Sequence, residues 1–144
     1  MALTDNIRAY YKLDESSGNA ADATGNGYTL TNYNTIGYAA GKINNGADGG
    51  ASNTDKRLET TSNLSVADYS SSFSIAGWFK ITTAPSTGSM YIMALHRMNG
   101  GVPATQSRDW SIRYDDSGGT KRVNFTFSGV TQTILTVNQT LTVG

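Results

Sequence analysis

Short runs in which apolar and polar residues alternate, separated by clusters of Gly, Asn, Asp and Ser, recur from one end of the chain to the other. This punctuation constrains the fold more than any other feature of the sequence. Successive side chains of a strand point to opposite faces, so a period of two marks an element with one face buried. In IRAYYKL, Ile7, Ala9, Tyr11 and Leu13 alternate with Arg8, Tyr10 and Lys12, which predicts a strand over Ile7–Leu13. The same period predicts strands at Tyr28–Tyr33, Arg57–Thr60, Trp110–Tyr114, Val123–Phe127 and near Thr133–Val137. Two runs are apolar on both faces, the pattern of a central strand covered on both sides. In SSFSIAGWFKI, Phe73, Ile75, Gly77, Phe79 and Ile81 fall on one side and Ala76 and Trp78 on the other, which places Trp78 in the core. Tyr91–His96 has the same continuous apolar character.

The connections agree with this picture. The stretch from Glu15 to Gly27 is a long loop, and GKINNGADGGASNT, from Gly41 to Thr54, has no sustained apolar period and reads as surface loop or mobile chain. Asp115, Asp116, Ser117, Gly118 and Gly119 read as a hairpin turn, with the two acids as turn residues. Gly supplies 16 residues and charged residues only 15%, and Ser, Thr and Asn are abundant, which disfavours helix throughout. At 144 residues the chain fits a single domain, so the expected class is all-β, an antiparallel β-sandwich or jelly roll of about eight strands.

Charge and cysteine usage narrow the function. Eleven basic residues cancel 11 acidic ones, which argues against nucleic acid, because phosphate binding needs clustered Lys and Arg. With no Cys there is no disulfide framework, thiolate metal site or cysteine nucleophile. No apolar run approaches the ~18 residues of a membrane span, so no membrane insertion is expected, and MALTDNIRAYYKLDE does not resemble a leader. A place on a virion or outside the cell would then imply travel as part of a larger assembly.

Three motifs in order carry a family resemblance over residues 9 to 81. AYYKLDESSGNAADATGNGYTLTN resembles a strand of the form Y-x-L-D/E-E-x-S-G followed by a D-x-x-G-N-G loop; GKINNGAD is similar to a G-K-x-x-x-A element; SSFSIAGWFKI resembles an F-T/S-I/V-x-x-W-x-K strand. Together they look like the laminin G-like jelly rolls of the concanavalin A-like lectin and glucanase group, a type also met in phage tail and other structural proteins. Two departures stand out. Gly49 and Gly50 occupy the place where relatives carry an aromatic residue, and the segment resembling L-x-x-G-x-W-x-H-V stops at Gly144, before its Trp. The resemblance therefore implies sheet edges without their usual neighbours, and because open edges recruit other chains the expectation is a truncated protein, a shortened sandwich, or a homo-oligomer whose subunits complete one another's sheets. Met90, Ile92, Met93 and Leu95 are core residues on the strand pattern or else part of such a contact.

The glucanase branch of this architecture uses paired carboxylates at period two, and the E-x-D-x-x-E strand that supplies them is absent. Glu15 and Glu59 are far apart in sequence, and Asp115 and Asp116, being adjacent, would point to opposite faces of a strand. His96, the single histidine, has neither a G-x-S-x-G elbow nor a second His beside it, and reads as a strand-end residue next to Arg97. No enzyme is expected. For a metal, Asp22, Gly25 and Asn26 offer hard oxygen donors suited to calcium, with Asp48 the nearest further carboxylate; the same residues also fit a plain Asx turn. The resemblance implies calcium near the corresponding loop. For a glycan or surface polysaccharide, an exposed aromatic platform flanked by planar hydrogen-bonding groups is required. Trp110, Tyr114 and Tyr91 with Arg113, Asn124 and His96 can provide it, Trp110 serving equally well as core. The three N-x-S/T sequons at Asn63, Asn124 and Asn138 are what a chain rich in these residues carries by chance. The expected function is carbohydrate recognition or adhesion without catalysis; the alternative is a structural, oligomerising β-sandwich module with no small ligand.

Overall fold

A computed structural model describes residues 6–50, 55–60, 62, 74–82, 88–99, 102–117, 120–127 and 133–137. Among these residues there is no helix, and every ladder is antiparallel. The chain divides into two units, Met1–Ser65 and Val66–Gly144.

In the first unit the ladders are short. β1 (Thr31–Tyr33) pairs with β4 (Arg57–Glu59), and β2 (Gly37–Ala40) pairs with β3 (Asn45–Asp48). Tyr33 lies directly opposite Arg57, whose guanidinium sits 4.5 Å from the Tyr33 ring centroid. The same guanidinium reaches Asp55 at 2.6 Å and Glu59 at 2.5 Å, so one side chain ties the end of this ladder to both flanks of its own strand. The β2–β3 pair places part of the Gly41–Thr54 stretch, expected as surface loop or mobile chain, in a strand. Its ladder carries no apolar alternation and is set by the turn: the Gly41 amide donates to the Asn44 carbonyl at 2.8 Å, and Asn44 has φ 55°. A Cβ on Gly41 would meet the Asn45 carbonyl oxygen at 2.9 Å, so the close approach needs glycine. Residues 51–54 lie outside the described residues.

Ile7–Leu13, expected as a strand, forms only an isolated bridge between Tyr11 and Asp22. The alternation survives in burial, with Ala9, Tyr11 and Leu13 half-buried and Arg8, Tyr10 and Lys12 exposed. The backbone groups, however, find side-chain partners in place of a strand: the Tyr10 amide donates to Asp22 Oδ1, and Asn26 Nδ2 donates to the Arg8 carbonyl at 3.0 Å. A period of two specifies which side is covered, not who supplies the hydrogen bonds. A second side-chain anchor is Asn32. Its Nδ2 donates to the carbonyls of Gly18 and Ile36, both at 2.9 Å, its Oδ1 accepts from the Ile36 amide at 2.7 Å, and its own amide donates to Asn19 Oδ1. Ile36 and Ala20 are the buried apolar residues among the described residues of this unit.

The second unit contains a four-stranded sheet in chain order, β5 (Gly88–Asn99), β6 (Val102–Ser117), β7 (Thr120–Phe127) and β8 (Thr133–Val137). Asn99 lies opposite Val102 and Ser117 opposite Thr120, so both hairpins are tight. Asp115 and Asp116 are therefore ladder residues opposite Arg122 and Lys121, not the turn residues expected from their type; only two residues remain for the turn. Opposite residues of a ladder share a face. Met90, Met93 and Leu95 of β5, Trp110, Ile112 and Tyr114 of β6, and Val123 and Phe125 of β7 make one apolar face, with Tyr114 fully buried and the Trp110 and Phe125 ring centroids 6.4 Å apart. A register shift between Tyr91 and Met93 leaves Ile92 as a bulge. Without it Met93 would share the face of Tyr91; the extra residue turns Met93 and Leu95 to the apolar side. The unbroken apolar run of β5 thus reflects a bulge and not burial on both faces: Met90, Tyr91 and Met93 are exposed.

The expected central strand Ser72–Ile81 is the largest correction. Ser72 and Phe73 lie outside the described residues, and Ser74–Ile81 belongs to no ladder. Trp78 is 78% exposed and Phe79 50%, so Trp78 is not core. Hydrophobicity and period two are local properties, whereas a strand also needs a neighbour to hydrogen-bond.

Candidate ligand-binding face

The second face of the four-stranded sheet is polar. β6 alternates strictly from Trp110 to Asp115, so Ser111, Arg113 and Asp115 share the side opposite to Trp110, Ile112 and Tyr114. β7 does the same, setting Arg122, Asn124 and Thr126 against Val123 and Phe125. The register joins them into rows. Tyr91, Arg113 and Asn124 form one row across three strands; Asp115 and Arg122 form the next; Ala94, Ser111 and Thr126 form the row on the other side. The last row is closed, with Ser111 4% and Thr126 8% exposed, while Tyr91 stands 40% exposed at the β5 end of the middle row. The face therefore opens towards Tyr91, Arg113, Asp115 and Arg122.

Side-chain chemistry on this face is only partly satisfied internally. Asn124 Nδ2 donates to Asp115 Oδ2 at 3.3 Å. The Nε atoms of Arg113 and Arg122 and the Oγ1 of Thr126 are buried with no hydrogen-bond partner among the described residues. A buried donor without an acceptor costs roughly 1–3 kcal/mol unless water or a ligand completes it.

Of the residues expected to bind glycan, the structure brings Tyr91, Arg113 and Asn124 into one row. Trp110 and Tyr114 lie on the opposite, apolar face and are buried, so the accessible aromatic of the polar face is Tyr91. His96 lies opposite Arg108 beyond a further register shift. Asp115, Arg122, Ser111 and Thr126 join the site without having been singled out for it. The signal was present in the sequence as the alternation of Arg122, Asn124 and Thr126 with Val123 and Phe125, once Asp115 is counted as strand.

The Asp22 loop is a different kind of site. Its carboxylate accepts from the amides of Tyr10 (3.2 Å) and Thr24 (3.0 Å) and from Thr24 Oγ1 (2.7 Å) through Oδ1, and from the Tyr28 amide (3.2 Å) through Oδ2. Desolvation opposes ionisation, but the Thr24, Tyr10 and Tyr28 hydrogen bonds outweigh it and hold the pKa down at about 2. Tyr11, whose hydroxyl donates to the Tyr28 carbonyl at 2.6 Å, is pushed up to about 12 by burial and then by the charge of Asp22 and by Tyr28. Asn26 turns its amide nitrogen to the Ile7 and Arg8 carbonyls, Gly25 donates its amide to the Asp22 carbonyl, and Asp48 Oδ1 accepts from the Gly50 amide. These are Asx-turn arrangements in which the carboxylates already serve as acceptors. Among the described residues no three acids or histidines gather at one point. Glu15 and Glu59 are likewise engaged locally, Glu15 Oε1 with the Ala21 amide and Glu59 with Arg57.

Fold and site together define an all-β chain with antiparallel sheets and a polar, arginine-bearing sheet face. No family model, curated protein or solved structure matches it.

Proposed function

We propose that this chain is a carbohydrate-recognition module of the laminin G-like, concanavalin A-like jelly-roll type, working within a larger surface or virion assembly and binding a glycan without cleaving it. The observation that carries this reading is the cross-strand row of Tyr91, Arg113 and Asn124. An accessible ring stacks on the apolar face of a sugar, and the adjacent guanidinium, beside the buried Asn124, matches its hydroxyls. Glycoside hydrolysis needs two carboxyl groups about 5–9.5 Å apart across the scissile bond. Asp115 is the one acid with a described side chain on this face, and Asn124 already donates to it. Screening the full chain on a glycan array, with and without calcium, tests the reading. Binding that is lost in Arg113→Ala supports it, and an array with no bound glycan refutes it. The calcium arm also tests whether Asp22, Gly25, Asn26 and Asp48 hold that ion.

The alternative of a structural, oligomerising module has one specific observation behind it. β5 is an outer strand of the described sheet, with Met90 and Met93 exposed along it, and a strand edge of this kind pairs readily with a second copy. Light scattering decides: a homo-oligomer that binds no glycan favours this reading, and a stable monomer removes it.

A further inference from the structure

The two arginines of the polar face are placed unlike Arg57 of the first unit. Arg57 has both its carboxylate partners, Asp55 and Glu59, and these are the ion pairs among the described residues. Arg113 and Arg122 have none. By register Arg113 stands opposite Asn124, and Asp115 opposite Arg122, so the four residues form a two-by-two block. The acid and the amide occupy one diagonal and are hydrogen-bonded to each other; the guanidinium-bearing residues occupy the other. Both arginines have a buried Nε with no acceptor, and the buried Thr126 Oγ1 lies in the row beyond Asn124. The block of these four residues holds two positive charges and one negative.

A guanidinium is a planar fork whose geometry matches a carboxylate bidentately, and it cannot relieve its own burial by losing a proton. A neutral sugar would satisfy Asp115 and leave both forks without an anion. A long phosphate polymer needs many more cations than one net charge. Resting on the carbohydrate reading above, we infer that the polar face selects a carboxylate-bearing saccharide, its carboxylate received by Arg113 and Arg122 and its ring by Tyr91. Asp115 then acts as an acceptor for a sugar hydroxyl.

The test uses the full chain on an array in which each carboxylate-bearing glycan is paired with its carboxyl-reduced, neutral counterpart, with sulfated glycans as a further arm, followed by calorimetric titration of the best pair. The acid form is expected to bind roughly tenfold or more tightly than its reduced counterpart, the scale of one charge-assisted hydrogen-bonded contact. Arg113→Gln and Arg122→Gln are each expected to bring that preference to within about twofold while leaving the circular dichroism spectrum unchanged. Equal binding of acid and reduced forms, or binding to sulfated glycans alone, overturns the inference and leaves the carbohydrate reading standing. An array with no bound glycan overturns both. A preference that survives both substitutions overturns the assignment to these two arginines.

Discussion

The two units solve the same problem, finding partners for backbone N–H and C=O groups, by different means. In the four-stranded sheet the strands run up to 16 residues and the ladders do the work, with apolar side chains free to pack on one face. Among the described residues of the first unit no ladder is longer than four residue pairs, and polar side chains reach into the backbone: Asp22 serves the segment before it and the turn after it, and Asn32 bridges Gly18 and Ile36. One unit is held by area removed from water, the other by a few residues with many hydrogen bonds each. Polar-to-apolar changes should therefore injure the first, and large-to-small changes the second.

The largest expected effect is on the sheet. Tyr114 is fully buried near the C-terminal end of β6, between Met90 and Val123 of the neighbouring strands. Tyr114→Ala removes an aromatic ring from that face and leaves a cavity, which is expected to cost about 3 kcal/mol or more. Urea denaturation followed by hydrogen exchange of the β6 and β7 amides measures it. A loss under about 1 kcal/mol would show that the apolar face is not what holds the sheet.

Next comes the anchor of the first unit. Asp22→Ala strands four donors, those of Tyr10, Tyr28 and the two of Thr24, and is expected to cost on the order of 2 kcal/mol once solvent access is allowed for. The Tyr10 and Tyr28 amides should lose exchange protection, and Asp22→Asn, which keeps one acceptor oxygen, should lose less. Acid makes the same change reversibly. The folded carboxyl, at about 2, lies below its ordinary value, so its contribution is complete above about pH 5 and is lost as the pH falls towards 2. At the alkaline end Tyr11, raised to about 12, favours the neutral hydroxyl, so that contribution is complete below pH 10 and is lost as the pH rises through 12. A Tyr28 amide resonance that titrates near pH 4, and not near 2, would mean that the four donors do not hold the carboxylate.

The same contrast explains what could be read from the sequence. Where long ladders form, the period of two is enough: Val123–Phe127 and Thr133–Val137 lie in strands as expected, as does the row-forming trio of Tyr91, Arg113 and Asn124, and in the first unit so do Arg57–Glu59 of the expected Arg57–Thr60. Where a bulge intervenes, the period misleads, because Ile92 shifts Met93, Ala94 and Leu95 to the other side. Where polar side chains replace ladders, residue type alone gives no geometry. Asp22 offered a calcium ligand or an Asx turn, and its four donors are visible only in three dimensions. Asp115 looked like a turn residue because Ser117, Gly118 and Gly119 follow it, yet the turn is short enough to leave it in the ladder.

Trp78 gives the smallest expected effect and the sharpest separation between the two ways of placing it. A tryptophan filling the core of a central strand would cost about 3–5 kcal/mol on truncation. With 78% of its surface in water it has little burial to lose, so Trp78→Ser is expected to leave the urea midpoint within about 0.5 kcal/mol of the parent. The chain has two tryptophans, and Trp110 is 7% exposed. Fluorescence therefore reports on them separately: the parent should show a red-shifted, iodide-quenchable component that vanishes in Trp78→Ser, leaving the shielded emission of Trp110. A blue-shifted parent spectrum with no quenchable component, together with a loss of several kcal/mol in the variant, would return Trp78 to the core and make Ser72–Ile81 the covered strand its pattern describes.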